Sequence, residues 1–198
     1  GILLLMPWYQ KISFKQYLAA AVGLLGLVAV ILWQMGQVLI CKCGYVKLWQ
    51  GLVISSENSQ HLFDWYSFSH VIHGVLFYAL LTWLFPKLPV GLRLLMAIGL
   101  ESAWELFENT DLVINRYREA TIALDYFGDS VINSVFDILS CVAGFFFAFK
   151  MPKWASVGLI IFFELFVLYF IRDNLTLNIV MLIYPLEVIK NWQSYPHF

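Results

Sequence analysis

Apolar residues run along this chain in long blocks, each close to the length of a bilayer crossing, with polar positions gathered between them. A helix needs about 20 mainly apolar residues to cross the hydrocarbon. The pattern predicts five spans, at residues 17–40, 67–85, 90–108, 129–149 and 154–171. Pro86-Lys87-Leu88-Pro89 and Met151-Pro152 punctuate the chain between neighbouring spans. Residues 175–184 are apolar but too few to cross, so a short re-entrant or interfacial helix is expected there. Residues 41–66 and 109–128 read as two large polar loops. The expected fold class is all-α: a polytopic transmembrane helical bundle forming one domain over residues 1–198, without internal repeats.

Composition supports the membrane. Hydrophobic residues make up 61% of the chain, against roughly 45–50% in soluble domains. A soluble fold of this size has too little interior for that share; a bilayer removes the difficulty. Eight Trp and ten Tyr suit a protein with two lipid–water interfaces to anchor. A net charge of −1 argues against nucleic acid as a partner. Gly1–Met6 reads as a short interfacial lead, since no charged region precedes it and no cleavage site follows.

Loop charge sets the expected orientation. Six basic residues fall on each side, but the tight turns at 86–93 and 150–153 carry only basic charge. Glu57, Asp64, Asp111, Glu119, Asp125, Asp173 and Glu187 fall opposite. The N-terminus is therefore expected in the cytoplasm of a bacterial inner membrane, with the large loops outside.

Ionisable residues inside a span cost about 2.5–3.5 kcal/mol or more at its centre, so they are rarely idle. His70 and His73 share one face near the start of the second span. Glu101, Glu105 and Glu108 form one stripe at the end of the third; Asp129, Asn133 and Asp137 form another at the start of the fourth. These ends lie on the same side, so all three stripes are expected at one depth. Carboxylates crowded in low dielectric must share protons or bind cations. Imidazole with carboxylate suits zinc, iron or manganese. His70, His73, Glu105 and Asp129 are the expected ligands of a divalent metal, with Glu108 or Asp137 as general base. For Glu101, the deepest, a structural role leads. The alternatives are a purely structural polar network or a proton or substrate pathway.

Weaker features surround this cluster. Arg116 and Arg118, with Asn133, are candidate substrate contacts, since Arg grips a lipid phosphate bidentately; a solvated interfacial anchor is the other reading. Cys41-Lys42-Cys43 is too tight for an ordinary disulfide, and its two thiols make half a metal site. Cys141 reads as a small buried hydrophobe. Glu164 is expected to pair with Arg172, and Arg172-Asp173 reads as a helix end with an adjacent ion pair. Asn174-Leu175-Thr176 fits a glycosylation acceptor. Signatures of zinc proteases, serine hydrolases and P-loops are absent.

Several strings carry a resemblance: Cys-Lys-Cys-Gly-Tyr-Val-Lys-Leu-Trp at 41–49, Ser-Glu-Asn-Ser-Gln-His at 56–61 and Asp-Trp-Tyr-Ser-Phe-Ser-His-Val-Ile-His-Gly at 64–74. Trp-Glu-Leu-Phe-Glu-Asn-Thr at 104–110, Leu-Asp-Tyr-Phe-Gly-Asp-Ser-Val-Ile-Asn-Ser at 124–134 and Arg-Asp-Asn-Leu-Thr-Leu-Asn at 172–178 extend it. Over residues 40–192 the chain resembles a bacterial family of inner-membrane proteins with no established activity. It is more loosely similar to VanZ-like membrane proteins, with Asp and His opening one helix, Glu in the next and the Asp129…Asn133 pair opening a third. That similarity implies an envelope or lipid-linked role. Three functions follow as expectations: a metal-dependent hydrolase or transferase acting on a lipid or envelope precursor, an accessory subunit of a larger membrane complex, or a small cation or proton carrier. Membrane lipids are the expected partners.

Overall fold

The computed structural model describes residues 12–121 and 125–194; the apolar lead at Gly1–Met6 lies outside them. Among the described residues the chain forms α1 (Phe14–Gln34), β1 (Trp49–Gln50), β2 (Phe63–Asp64), α2 (Ser67–Leu84), α3 (Val90–Glu108), α4 (Asp111–Ala120), α5 (Val131–Lys150), α6 (Lys153–Ile171), α7 (Leu175–Ile183) and α8 (Glu187–Ser194). The fold is an all-α bundle, as the periodicity demands, and its helices are those of a membrane protein.

Among the described residues four helices, α1, α2, α5 and α6, are long and apolar enough to cross a membrane. Five blocks were expected. The fifth, α3, has the length but carries Arg93, Glu101, Glu105 and Glu108. Glu101 and Glu105 are fully buried on the face turned to the rest of the bundle.

The first helix ends at Gln34 rather than near residue 40. Gly36, at φ +96°, closes it: its N–H donates to Trp33 O and that of Gln37 to Leu32 O. This is a Schellman ending, which a residue without Cβ adopts freely. The apolar residues beyond it serve another helix. Val38 and Leu39 offer their carbonyls to the N–H groups of Val131 and Ile132, two of the donors that open α5 and have no partner within it. Ser130 supplies the side-chain cap by accepting from Asn133 N.

The bundle is tightest between α2 and α5. A Cβ built on Gly74 would sit 1.9 Å from Cys141 O, and one on Gly144 would sit 2.0 Å from Val71 O. Two glycines therefore let the backbones touch, the usual device for helix contact in lipid. Against this pair packs a core of Val28, Leu32, Ile98, Val131 and Ile138, joining α1, α3 and α5. Leu81, Ala97 and Phe145 continue it. Most of α1 and α6 remains uncovered: Leu18, Val22 and Trp33 on one, Trp154, Ile161 and Tyr169 on the other, are all exposed. Apolar faces this extensive require lipid or protein over them.

Both loops contain more structure than their polarity suggests. The first includes a two-stranded parallel pairing, Trp49 with Phe63 and Gln50 with Asp64. The second contains α4, whose Val113, Ile114, Tyr117 and Ala120 are buried along one stripe. That spacing is helical, and the stretch is a short amphipathic helix rather than an open loop.

Candidate metal and substrate site

α2 carries His70 and His73 into the bundle beside α3, and Glu101 stands between them. Its Oε1 lies 2.5 Å from His70 Nδ1 and 3.0 Å from His73 Nδ1. A carboxylate only accepts, so each imidazole donates through Nδ1 and is held in that orientation. This leaves His70 Nε2 facing Asp137 Oδ2 at 3.8 Å. Ser67 donates to the other oxygen of Asp137 at 2.9 Å. Glu105 Oε1 is 3.4 Å from His70 Nδ1, yet both of its carboxylate oxygens are buried without a hydrogen-bond donor. A buried orphan of this kind is expensive unless something charged completes it. Two overlapping groups have ligand atoms close enough to hold a metal: His70, His73 and Glu101, and His70, Glu105 and Glu108.

Above this layer lies a cavity of about 50 Å³, reached by His70, Glu108, Asp129 and Asp137 from the bundle and roofed by residues of α4, α7, α8 and the first loop. Three tyrosines in its wall each hold one carboxylate. Tyr66 donates to Asp173 at 3.2 Å, Tyr117 to Glu108 at 2.9 Å and Tyr126 to Asp129 at 2.9 Å. Burial pushes the Asp173 carboxyl up to about 6, and burial followed by the charge of Glu108 raises the Tyr117 hydroxyl well above the phenol range. Asn109 ties the layers together. Its amide nitrogen donates to Glu105 O and Asp129 Oδ2, and its oxygen accepts from Asp129 N at 2.7 Å. Gly128, at φ +94°, makes the turn into Asp129 and passes so close to Gln37 and Asn109 that a side chain has no room.

His70, His73, Glu101, Glu105, Glu108 and Asp137 thus gather across three helices. Glu101, expected to be structural, sits between the imidazoles and belongs to one metal-compatible group. Glu108, expected as a base, belongs to the other. Asp129 belongs to neither, and reaches the site through the cavity wall.

Arg116 and Arg118 are directed elsewhere. Arg116 donates to Leu182 O and Ile183 O at the end of α7, and Arg118 to Tyr126 O; neither lines the cavity. Asn133 donates to His61 O at 2.9 Å, pinning the first loop to α5. Glu164 accepts from Leu175 N and Thr176 N, opening α7 from outside. Asn174 is buried and caps α7 by accepting from Leu177 N, so the glycosylation reading fails on burial. Cys41 and Cys43 are joined as a disulfide with Cα atoms 5.1 Å apart, within the bonding range; the expectation of separate thiols is corrected. Nearby, Glu57 receives Lys47 and His61, and the Lys47 hydrogen bond above all holds its carboxyl down to about 2.

Sequence reasoning missed Tyr66, Asn109, Tyr117, Tyr126, Asn178 and Gln193. Each is a common interfacial or loop residue, and only the closure of α4, α7 and α8 over the bundle turns them inward. Asp173 was visible as a charge but not as a half-buried one facing the cavity.

The sequences of other proteins agree with the resemblance noted above. The family described as "Protein of unknown function (DUF2585)" matches residues 32–195. A UPF0314 protein of Rhizobium meliloti is 53% identical over 178 residues, covering 90% of each chain. One from Sphingopyxis alaskensis is 54% identical, covering 92% of this chain and 97% of its own. One from Paracoccus denitrificans is 54% identical over 83% of this chain and 84% of its own. None of these descriptions mentions a VanZ-like protein. No solved structure matches. Matched along most of its length at this level of identity, the chain belongs to the DUF2585 (UPF0314) family.

Proposed function

We propose that this protein is a metal-dependent membrane hydrolase or transferase whose divalent ion is held by His70, Glu105 and Glu108. The observation that carries the reading is Glu105: a carboxylate at the centre of the bundle, with both oxygens buried and undonated, beside an imidazole already oriented by Glu101. Glu101 accepts from His70 Nδ1 and so fixes the ring, a support that metal-ligating histidines commonly have, and Nε2 is the nitrogen left to meet an ion. Zinc, iron and manganese all suit the donor set.

A bound ion of this kind lowers the proton affinity of a water it holds. Asp137, facing His70, is the nearest base for that proton. With an ion so held, Asp137 would accept the proton of a water attacking an acyl or phosphoryl ester and would return it to the alcohol oxygen that leaves. The substrate is a lipid or envelope precursor arriving from the surrounding membrane. The oxidised Cys41–Cys43 pair supports an external position for the site, because disulfides persist in the periplasm and rarely in the cytosol.

The test is elemental analysis of the full chain purified without chelating resin. About one zinc, iron or manganese per chain is expected, and its loss in His70→Ala. Metal-free protein that retains its fold, or a His70→Ala variant that keeps the metal, would overturn the reading.

A further inference from the structure

The wall of the cavity is rich in acceptors. Glu108, Asp129, Asp137 and Asp173 line it, and among the described residues no lysine or arginine does. The hydroxyl hydrogens of Tyr66 and Tyr126 are committed to carboxylates, and that of Tyr117 is taken by Glu108 or by Asn178 Oδ1, so these tyrosines turn lone pairs to other neighbours. Asn58 adds an independent sign. It is 8% exposed, lines the cavity, and its Oδ1 is buried with no donor. An occupant that brings hydrogen-bond donors and positive charge complements this wall. A bare phosphate is a poor complement to it, since Arg116, Arg118 and Arg172 all serve backbone carbonyls.

We infer that the cavity binds a protonated primary amine, the ammonium group of the molecule on which the site acts. An ammonium offers three donors and no acceptor, the complement of this wall. A volume of about 50 Å³ holds roughly four waters, enough for an ammonium and the carbons next to it. The inference rests on the cavity being the substrate site but not on the metal beneath it. The amine has two possible sources, a soluble molecule or a lipid headgroup.

The experiment uses the full chain in nanodiscs at pH 7.5. In phosphatidylglycerol discs, ethanolamine is titrated calorimetrically beside inorganic phosphate and glycerol. In a parallel arm, thermal stability is compared between pure phosphatidylglycerol discs and discs containing phosphatidylethanolamine. Saturable ethanolamine binding assigns a soluble amine; stabilisation by phosphatidylethanolamine assigns a headgroup; either supports the inference. Asp173→Asn is expected to weaken whichever signal appears at least tenfold, and Tyr66→Phe to weaken it in the same direction should the first variant fail to fold. Absence of both signals, or tighter binding of phosphate or glycerol, overturns it. So does ethanolamine binding that merely displaces the metal measured above, which would leave the metal reading standing and this one not.

Discussion

At the scale of single residues, Glu105 decides most. A carboxylate enclosed with no donor is a cost carried by the fold, since leaving a buried polar group unpaired costs about 1–3 kcal/mol and more when charged. Its near-isostere Glu105→Gln, which removes the charge while His70 keeps Glu101 and Asp137 beside it, is therefore expected to raise the melting temperature of the chelator-treated protein. The same variant should lose the stabilisation that metal gives the wild type, about 2.7 kcal/mol at a hundredfold excess over Kd. Thermal melts with and without zinc or manganese measure both effects. A variant that is less stable in chelator, yet still responds to metal, would show Glu105 to be held by protein contacts alone. His70 was legible from the chain because two imidazoles three residues apart on an apolar helix are conspicuous. Tyr66, Tyr117 and Tyr126 were not, because tyrosine is equally at home at a membrane interface.

At the scale of elements, the site depends on how closely α2 approaches α5. His70 lies on α2 and Asp137 on α5, and Gly74 and Gly144 allow the two backbones to touch. Gly74→Ala and Gly144→Ala are each expected to destabilise the fold by about 1–3 kcal/mol or more, and to lower metal content by opening the His70–Asp137 approach. Denaturant or thermal unfolding in detergent checks the first effect and elemental analysis the second. Unchanged stability in both variants would mean that the helices sit further apart than described. That Gly74 meets the backbone of α5, rather than that of another helix, follows only from the fold. Likewise the helical stripe of α4 was present in residues 111–120, masked by their polarity. The apolar residues past Gly36 looked like a continuation of α1, and cap α5 instead.

At the scale of the whole molecule, the lipid-facing helices α1 and α6 enclose an interior that grows polar toward one end, closed there by α4, α7, α8 and the disulfide-bearing loop. If that end faces the periplasm, an impermeant maleimide added to intact cells after reduction is expected to label Cys43, the exposed member of the pair. A Lys87→Cys variant, at the opposite turn, is expected to label only in inverted vesicles. The reverse pattern would invert the topology and detach the site from the outer leaflet. Cys141, fully buried, should remain unlabelled in both.

Hydrophobic block length and the helical spacing of His, Glu and Asp are local properties. They were enough to determine a membrane bundle, the approximate extent of its long helices and the layer in which the charged residues meet. Membrane energetics make these statements possible: a bilayer enforces helix and length, and it penalises any ionisable group without a purpose. Which carboxylate stands between the imidazoles, which arginine is diverted to a helix end and which tyrosines wall the cavity were decided only in three dimensions. Each of those outcomes depends on contacts between residues far apart in the chain, where spacing along one helix says nothing about the neighbour that arrives from another.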